Sequence, residues 1–258
     1  TVRAGDALGA ALVLTLGSGW LAASARAQEA AVVPAEQSVV LERADRSRVK
    51  GDPEAPIRIV EISDFECPFC ARFYEDSYRA IDSIYVESGL ARYVWISLPN
   101  STHPRAWPAI EAAFCAGAAG RFWAMHDLLF ERREAWASAE DPNALFQAWA
   151  EEAGVEPKSF AACLRNDQTA PLQVRDYESA ITAGVTSTPF FVVGDSVAIR
   201  GAVPLETFRS AVDSVLASAE ESPLPTSSRP LTEGLAFYGI VFPLYFPSGQ
   251  GFPALERA

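Results

Sequence analysis

Residues 67–70 of the chain read Cys-Pro-Phe-Cys, after an apolar stretch at 57–62 (IRIVEI) and before a run with helical spacing. Two thiols separated by two residues at a helix start can close a small, reactive disulfide. A thiolate at Cys67 would face unpaired helix N–H groups and the positive end of the helix dipole, which lowers its pKa and favours disulfide exchange. Pro68 suits the first helical turn, where its missing N–H costs nothing. A structural disulfide or half of a zinc site fits the same four residues, so the rest of the chain must decide.

The composition is that of a chain that can bury a sizeable core. Its 258 residues are 49% hydrophobic and carry a net charge of −12. This length is enough for one or two domains. The excess of negative charge argues against nucleic acid and anionic membrane surfaces as partners.

The N-terminal segment has the pattern of a secretory signal. Arg3 gives it a positive start, residues 7–23 are apolar, and residues 25–27 (ARA) form an A-x-A cleavage pattern. An uncleaved N-terminal anchor is the alternative. We therefore predict a signal peptide at 1–27 and a periplasmic or otherwise extracytoplasmic location. Disulfides persist in such a compartment, and the four cysteines, an even number, fit it.

Two segments flank the predicted folded unit of 51–219. Residues 28–50 form a mixed leader that we predict to be exposed. The tail at 220–258 combines a Pro-rich linker with an apolar stretch at 235–246, which is too short to span a bilayer.

The pattern of elements predicts an α/β fold, because it opens with a β-α-β unit that favours a parallel strand pair. The predicted elements are, in order, a strand at 57–62, a helix at 68–88, a strand at 91–97, a helical block at 104–184, strands at 189–193 and 197–200, and a helix at 205–218.

This order resembles a thioredoxin fold with an inserted helical domain, as in the DsbA family of exported thiol–disulfide oxidoreductases. Three segments carry the resemblance: 63–70 (SDFECPFC), 120–130 (GRFWAMHDLLF) and 184–193 (GVTSTPFFVV). Each segment alone is a weak signal, but together, in this order and spacing, they are specific.

The resemblance implies that Cys67 is the exposed nucleophile and Cys70 the buried resolving thiol. The family's best-known member has His where this chain has Phe69, and Phe offers no hydrogen-bond donor to the Cys67 thiolate. We therefore expect a less strongly oxidising site. The expected partners are cysteine-containing exported proteins and a redox partner that recycles the disulfide. No cofactor is needed, because the disulfide itself is the redox group.

The resemblance also assigns three residues outside the motif. Pro189 corresponds to a cis-proline beside the active disulfide, which would free the Thr188 backbone to pair with an extended client peptide. An ordinary trans turn is the alternative for Pro189. Glu61, inside an apolar strand, corresponds to a buried acid that relays a proton to Cys70, and a solvent-reaching strand-end carboxylate is the alternative.

The remaining cysteines and the histidines have simpler interpretations. Cys115 and Cys163 are predicted to form a structural disulfide, with two reduced core thiols or a second redox pair as alternatives. His126 is predicted to be a packed, hydrogen-bonded residue and His103 a turn or cap residue, so no metal site is predicted.

Three other functions share these residues. A disulfide isomerase or reductase would use the same site, and Phe69 and Thr188 favour it slightly. A metal carrier would bind copper or zinc through Cys67 and Cys70. A peptide-binding holdase would need neither thiol.

Overall fold

A five-stranded sheet runs through the part of the chain that the structure, a computed structural model, describes: residues 35–194 and 197–221. The strands are β1 (Val49–Lys50), β2 (Ile57–Ser63), β3 (Ala91–Ser97), β4 (Phe190–Val193) and β5 (Val197–Arg200). Their order across the sheet is β1-β3-β2-β4-β5. Strands β2 and β3 are parallel, and the other three pairings are antiparallel. The signal peptide predicted at 1–27 and the tail beyond residue 221 lie outside the described residues.

The helices surround this sheet and form the block between β3 and β4. They are α1 (Ala35–Ser47), α2 (Pro68–Phe73), α3 (Arg79–Ile81), α4 (Ala106–Ala118), α5 (Phe122–Glu131), α6 (Arg133–Ala137), α7 (Asn143–Glu152), α8 (Pro157–Arg165), α9 (Ala170–Thr182) and α10 (Leu205–Glu221). Two π-helical stretches, Tyr74–Tyr78 and Asp82–Val86, continue α2 and α3, so the crossover between β2 and β3 is helical throughout. A parallel strand pair requires such a crossover.

Apolar residues cover both faces of the sheet, as expected for central strands between helical layers. On one face, a large cluster joins the sheet to the crossover helix, the helical block and α10. On the other face, Ile62 and Ile96 pack with Ala180 of α9 and with Val185. The end of β2 is therefore buried on both sides, and the Cys-Pro-Phe-Cys motif follows directly from it.

The prediction of an exposed leader at 28–50 is wrong for its second half. Residues 35–47 form α1, and Val49–Lys50 pairs with β3 as a fifth strand. Ala44 is fully buried, and α1 approaches α4 so closely that a Cβ at Gly117 would lie 2.5 Å from Ser47 Oγ. The segment looked exposed because α1 is rich in charged residues, while only a narrow face of it contacts the core.

Arg48 anchors this N-terminal segment to the far side of the helical block. Its side chain is fully buried and forms ion pairs with Asp45 and Asp176. Asp176 Oδ2 also accepts a 3.0 Å hydrogen bond from the Ser97 N–H at the end of β3. A buried charge needs partners of this kind, so α1, β3 and α9 are held together at this point.

Between residues 35 and 221, leaving out 195 and 196, no helix combines the length and the apolarity that crossing a bilayer demands.

Candidate active site

Cys67 stands at the N-terminus of α2, immediately before its first turn. Its backbone is extended (φ −66°, ψ 124°), and Pro68 occupies the first helical position. The Cys67 carbonyl accepts a 3.1 Å hydrogen bond from the Ala71 N–H. The N-terminal N–H groups of a helix have no partners within the helix, so a thiolate here meets hydrogen-bond donors and the positive end of the dipole.

These surroundings lower the pKa of Cys67 to about 6. The largest cause is a hydrogen bond from the Cys70 side chain, and burial opposes it. The Thr188 side chain and the backbone N–H groups of Cys70 and Phe69 lower the pKa further. Cys67 is therefore a thiolate at neutral pH, the form that attacks disulfides.

Cys67 has only 4% of its surface exposed, so the expectation of an exposed nucleophile is wrong, and Cys70 is fully buried. Burial raises the pKa of Cys70 well above its usual value, and the hydrogen bond to Cys67, the charge of Cys67 and that of Glu61 raise it further. Neither cysteine is disulfide-bonded in this structure. The two thiols of the motif thus differ sharply in acidity.

Glu61 lies inside the sheet on β2, with only 1% of its surface exposed. Its Oε2 accepts a 2.7 Å hydrogen bond from the Tyr93 hydroxyl on the neighbouring strand β3. Burial raises the pKa of Glu61, and His126, Tyr93, Ser63 and Lys50 only partly oppose this effect. Burial therefore favours the protonated form of Glu61, and the charge of Glu61 in turn raises the pKa of Cys70.

Strand pairing brings the second half of the site to the first. Ile62 of β2 lies opposite Phe190 of β4, so the residues just before β4 meet the motif just after β2. The Thr188–Pro189 peptide bond is cis. The Thr188 carbonyl oxygen lies 3.5 Å from Cys67 Sγ. The five residues predicted for the reaction thus come together at one end of the sheet: Cys67, Cys70, Glu61, Thr188 and Pro189.

An aromatic ring and a guanidinium group are exposed beside the motif. Phe69 has 53% of its surface exposed, and the Arg72 guanidinium lies 5.4 Å from the centre of its ring. Phe69 gives the Cys67 thiolate only its backbone N–H.

Asp64 organises the loop before the motif, and sequence reasoning gave it no role. This fully buried carboxylate accepts hydrogen bonds from the Glu66 N–H (2.8 Å) and the Asn100 N–H (3.0 Å) and contacts His103 Nδ1 at 2.6 Å. The Cys67 N–H donates a 3.1 Å hydrogen bond to the Asp64 carbonyl. His103 is therefore a partner of the active-site loop rather than only a turn or cap residue.

Glu66 makes the second connection of this loop. Its Oε2 accepts a 2.7 Å hydrogen bond from the Arg105 N–H, and its carbonyl accepts one of 2.8 Å from Arg133 Nε. The partners of Asp64 and Glu66 lie 36 to 67 residues away along the chain. Local sequence patterns do not predict contacts between residues this far apart along the chain.

His126 lies in the middle of the aromatic core. It is 1% exposed, and its Nδ1 lies 2.9 Å from Asp127 Oδ1. Its Nε2 is buried and has no hydrogen-bond partner among the described residues. The expected packing role accounts for the first nitrogen but not for the second.

Cys115 of α4 and Cys163 of α8 are joined by a disulfide, with Cα atoms 5.8 Å apart. Both are buried, so this bond ties two helices of the inserted block together. Across residues 35–194 and 197–221, no three His, Cys, Asp or Glu side chains are grouped so that they could hold a metal ion.

The sequence matches a known protein family and several curated proteins. A family model described as Thioredoxin matches residues 43–214, two thirds of the chain. A curated relative, the Na(+)/H(+) antiporter NhaA 3 of Salinispora tropica, is 35% identical over 181 residues, which are 69% of this chain and 26% of the relative. The chain thus spans about a quarter of the length of that relative.

Solved structures share the fold. The alpha-DsbA1 of Wolbachia pipientis superposes with a TM-score of 0.61 at 22% identity, covering 69% of this chain and 94% of that one. The oxidised BdbD of Bacillus subtilis gives 0.58 at 20% identity, covering 66% and 92%. The predicted thioredoxin fold with an inserted helical domain is confirmed.

Proposed function

The chain belongs to the thioredoxin family, and from that membership we propose that it is an exported thiol–disulfide oxidoreductase acting on cysteines of client proteins. One observation carries the proposal: the pKa of Cys67 is about 6, whereas burial and the neighbouring Cys67 raise the pKa of Cys70. A structural disulfide has no need of such a difference. Disulfide exchange does need it, because one sulfur must leave or attack as a thiolate while the other waits as a thiol.

Oxidation of a client proceeds in two exchanges. A client thiolate attacks Cys67 in the Cys67–Cys70 disulfide, forming a mixed disulfide and releasing Cys70, which takes up a proton. A second client thiolate then attacks the client sulfur of the mixed disulfide. The client leaves with a new disulfide, and Cys67 leaves as the stable thiolate. Two electrons pass from the client to the motif.

Glu61 is proposed to exchange a proton with Cys70. When Cys70 leaves the motif disulfide it needs a proton, and when it attacks a mixed disulfide it must lose one. The raised pKa of Glu61, caused by burial, favours its protonated form and suits it to supply and accept this proton. The alternative, a strand-end carboxylate in water, does not fit a side chain with 1% exposure.

The client is proposed to bind beside the disulfide. The Thr188 carbonyl lies next to Cys67, and the exposed ring of Phe69 offers an apolar contact on the other side. An extended peptide paired with the Thr188 backbone would place its cysteine over Cys67. A periplasmic location and a redox partner that recycles the motif belong to the same proposal.

The direction of electron flow separates this proposal from its nearest alternative, an isomerase or reductase with the same site. Phe69 provides no side-chain donor to the Cys67 thiolate, which favours a moderately oxidising motif. Equilibration with glutathione buffers of known ratio gives the reduction potential. A value near that of strong oxidants would support an oxidase, and one close to thioredoxin's a reductase.

Exchange itself is tested with a reduced peptide that contains two cysteines. The oxidised protein should convert it to the disulfide form, Cys67→Ser should be inactive, and Cys70→Ser should accumulate a mixed disulfide at position 67. Full oxidation of the peptide by Cys67→Ser would refute the proposal. Binding of an unfolded client that is unchanged in Cys67→Ser, with no oxidation by wild type, would favour a peptide-binding holdase. Stoichiometric copper or zinc in the reduced protein, lost in Cys67→Ser, would favour a metal carrier.

A further inference from the structure

Glu61 needs a route by which its proton can reach solvent, and its own hydrogen bonds do not provide one. In the proposed reaction it gains or loses a proton in every cycle, yet it is 1% exposed. Tyr93 donates a hydrogen bond to it. The Tyr93 hydroxyl has no second hydrogen-bond partner among the described residues, so this bond leads no further towards water.

Ser63 offers a short link on the Cys70 side. Its hydroxyl is fully buried and makes no ordinary hydrogen bond with any residue that the structure describes. Ser63 follows Glu61 by two residues on β2, so the two side chains lie on the same face of the sheet. Ser63 also lowers the pKa of Glu61 and that of Cys70. A hydroxyl near a thiol and a carboxyl group can pass a proton from one to the other.

His126 lies in the neighbourhood of Glu61, since its ring and that of Tyr93, the donor to Glu61, both contact Trp123. Its Nε2 is buried and unpartnered within the described part of the chain, while its Nδ1 lies 2.9 Å from Asp127. An unpartnered buried nitrogen is costly, and such an atom calls for an explanation. Asp127 has 38% of its side chain exposed, so the hydrogen bond to it leads towards water.

Aromatic rings enclose the His126 imidazole. Seven rings of the described residues have centroids within 6.5 Å of the imidazole: Phe65, Tyr74, Tyr78, Trp95, Phe122, Trp123 and Phe130. Trp123 also contacts Tyr93, the partner of Glu61. His126 is the histidine available to Glu61 in these apolar surroundings, since the chain's second histidine, His103, is bound to Asp64.

We propose that His126 relays the Glu61 proton between the buried sheet and Asp127 at the surface. The inference rests on the proposed function and adds a positioning and proton-carrying residue to it. When Cys70 attacks Cys67 of a mixed disulfide, the client thiolate departs and the Cys70 proton passes through Ser63 to Glu61. His126 then accepts it at Nε2 through a bridging water, since no described residue lies within hydrogen-bond distance of that nitrogen, and releases one from Nδ1 to Asp127. The charge balances, because Asp127 passes the proton to water.

Other charged groups lie near this path, but each is engaged. Lys50 Nζ is 2.6 Å from Asp82 Oδ1 and 2.5 Å from the Tyr78 hydroxyl, and it lies 4.4 Å from the centre of the Trp123 ring. Lys50 lowers the pKa of Glu61 as a fixed charge. Its contacts hold it against the outside of the aromatic core, so we assign it an electrostatic effect and no part in the relay.

The experiment measures resolution of a preformed mixed disulfide at Cys67 by stopped flow between pH 6 and 8. We expect His126→Gln to slow resolution about tenfold or more, the lower range of losses of acid–base catalysis. Asp127→Asn, a surface change, should slow it in the same direction. Glu111→Gln, a carboxyl-to-amide change elsewhere in the helical block, is the control. The alkylation pKa of Cys67 should stay unchanged in all three variants.

A chemical rescue separates a relay from a packing role. Imidazole added to His126→Ala should restore much of the lost rate, and the restored rate should rise with imidazole concentration. If wild type resolves the mixed disulfide and His126→Gln does so equally fast across pH 6 to 8, the relay is refuted while the proposed function stands. If wild type itself does not resolve it, the proposed function fails.

Discussion

The Tyr93 hydroxyl and the Glu61 carboxylate are joined by a 2.7 Å hydrogen bond inside the sheet, between neighbouring strands that run parallel. The pair sets how readily Glu61 ionises, because the hydroxyl stabilises the carboxylate while burial favours the protonated acid. The acidity of a group below the sheet surface is thus adjusted by a residue 32 positions away along the chain.

Tyr93→Phe removes this donor and keeps the ring. We expect the pKa of Glu61 to rise further, so that the pH dependence of mixed-disulfide resolution shifts to higher pH. The lost hydrogen bond should cost about 1 kcal/mol of stability. Stopped-flow rates against pH and urea unfolding measure both effects. An unshifted pH profile would show that Tyr93 does not control Glu61.

Glu61→Gln should slow resolution and change how stability depends on pH. Because burial raises the pKa of Glu61, the native state keeps its proton where the unfolded state has lost it. The wild type therefore loses stability as the pH rises from about 4.3 through the native pKa, and the amide does not. We expect the stability of the variant relative to wild type to increase over that window in urea unfolding. A constant difference from pH 4 to 8 would contradict this.

Phe69→His adds a donor next to the Cys67 thiolate. We expect the pKa of Cys67 to fall below its value of about 6, by roughly half to one unit, and the motif to become more oxidising. Phe69→Leu is the matched control, since it removes the ring without adding a donor. Alkylation rate against pH and glutathione equilibration report the two changes. Equal values for the two variants would show that the donor has no effect.

Removal of the Cys115–Cys163 disulfide should destabilise the fold and spare the chemistry. The bond closes a segment with a sequence separation of 48, for which loop entropy predicts about 4 kcal/mol. We expect the double alanine variant to unfold at lower urea and to keep the Cys67 alkylation pKa of wild type. Peptide mapping of the non-reduced protein should recover the linked pair. Loss of the low Cys67 pKa in the variant would show that the bond supports the active site directly.

Glu111 of α4 should give the fold a second pH dependence. Burial, and after it the negative charge of Asp167, raises the pKa of Glu111 to about 7. Stability that Glu111 contributes at low pH is therefore lost between about pH 4.3 and 7, and the loss is complete above pH 7. Glu111→Gln should gain on wild type across that interval and run parallel to it above. A gain that begins only above pH 7 would contradict the assignment.

Local sequence patterns predicted the sheet and the motif because both leave local signals. The apolar strand at 57–62, the paired cysteines and the β-rich segments before α10 identify themselves through alternation, spacing and turn residues. The end of the helix predicted at 68–88 was harder to predict, since that helix alternates between α and π turns.

The support of the active site left no such signal. Asp64 reaches Asn100 and His103, and Arg48 reaches Asp176, across 36 to 128 residues. Taken alone, each of these polar side chains is of a type usually found at the surface. Only the fold shows that Asp64 and Arg48 are buried against partners distant in sequence, so burial of a charged group by a distant partner is where sequence reasoning failed.

The shortest strand, β1, has a consequence for how this protein behaves at high concentration. Its two residues, Val49 and Lys50, pair with Val94 and Tyr93 and so occupy part of the outer edge of β3. An uncovered, apolar edge strand is a template for pairing with another chain, and a lysine at an edge discourages such pairing. Shortening the protein to residue 51 would uncover that edge, and the resulting chain would be prone to self-association through β3.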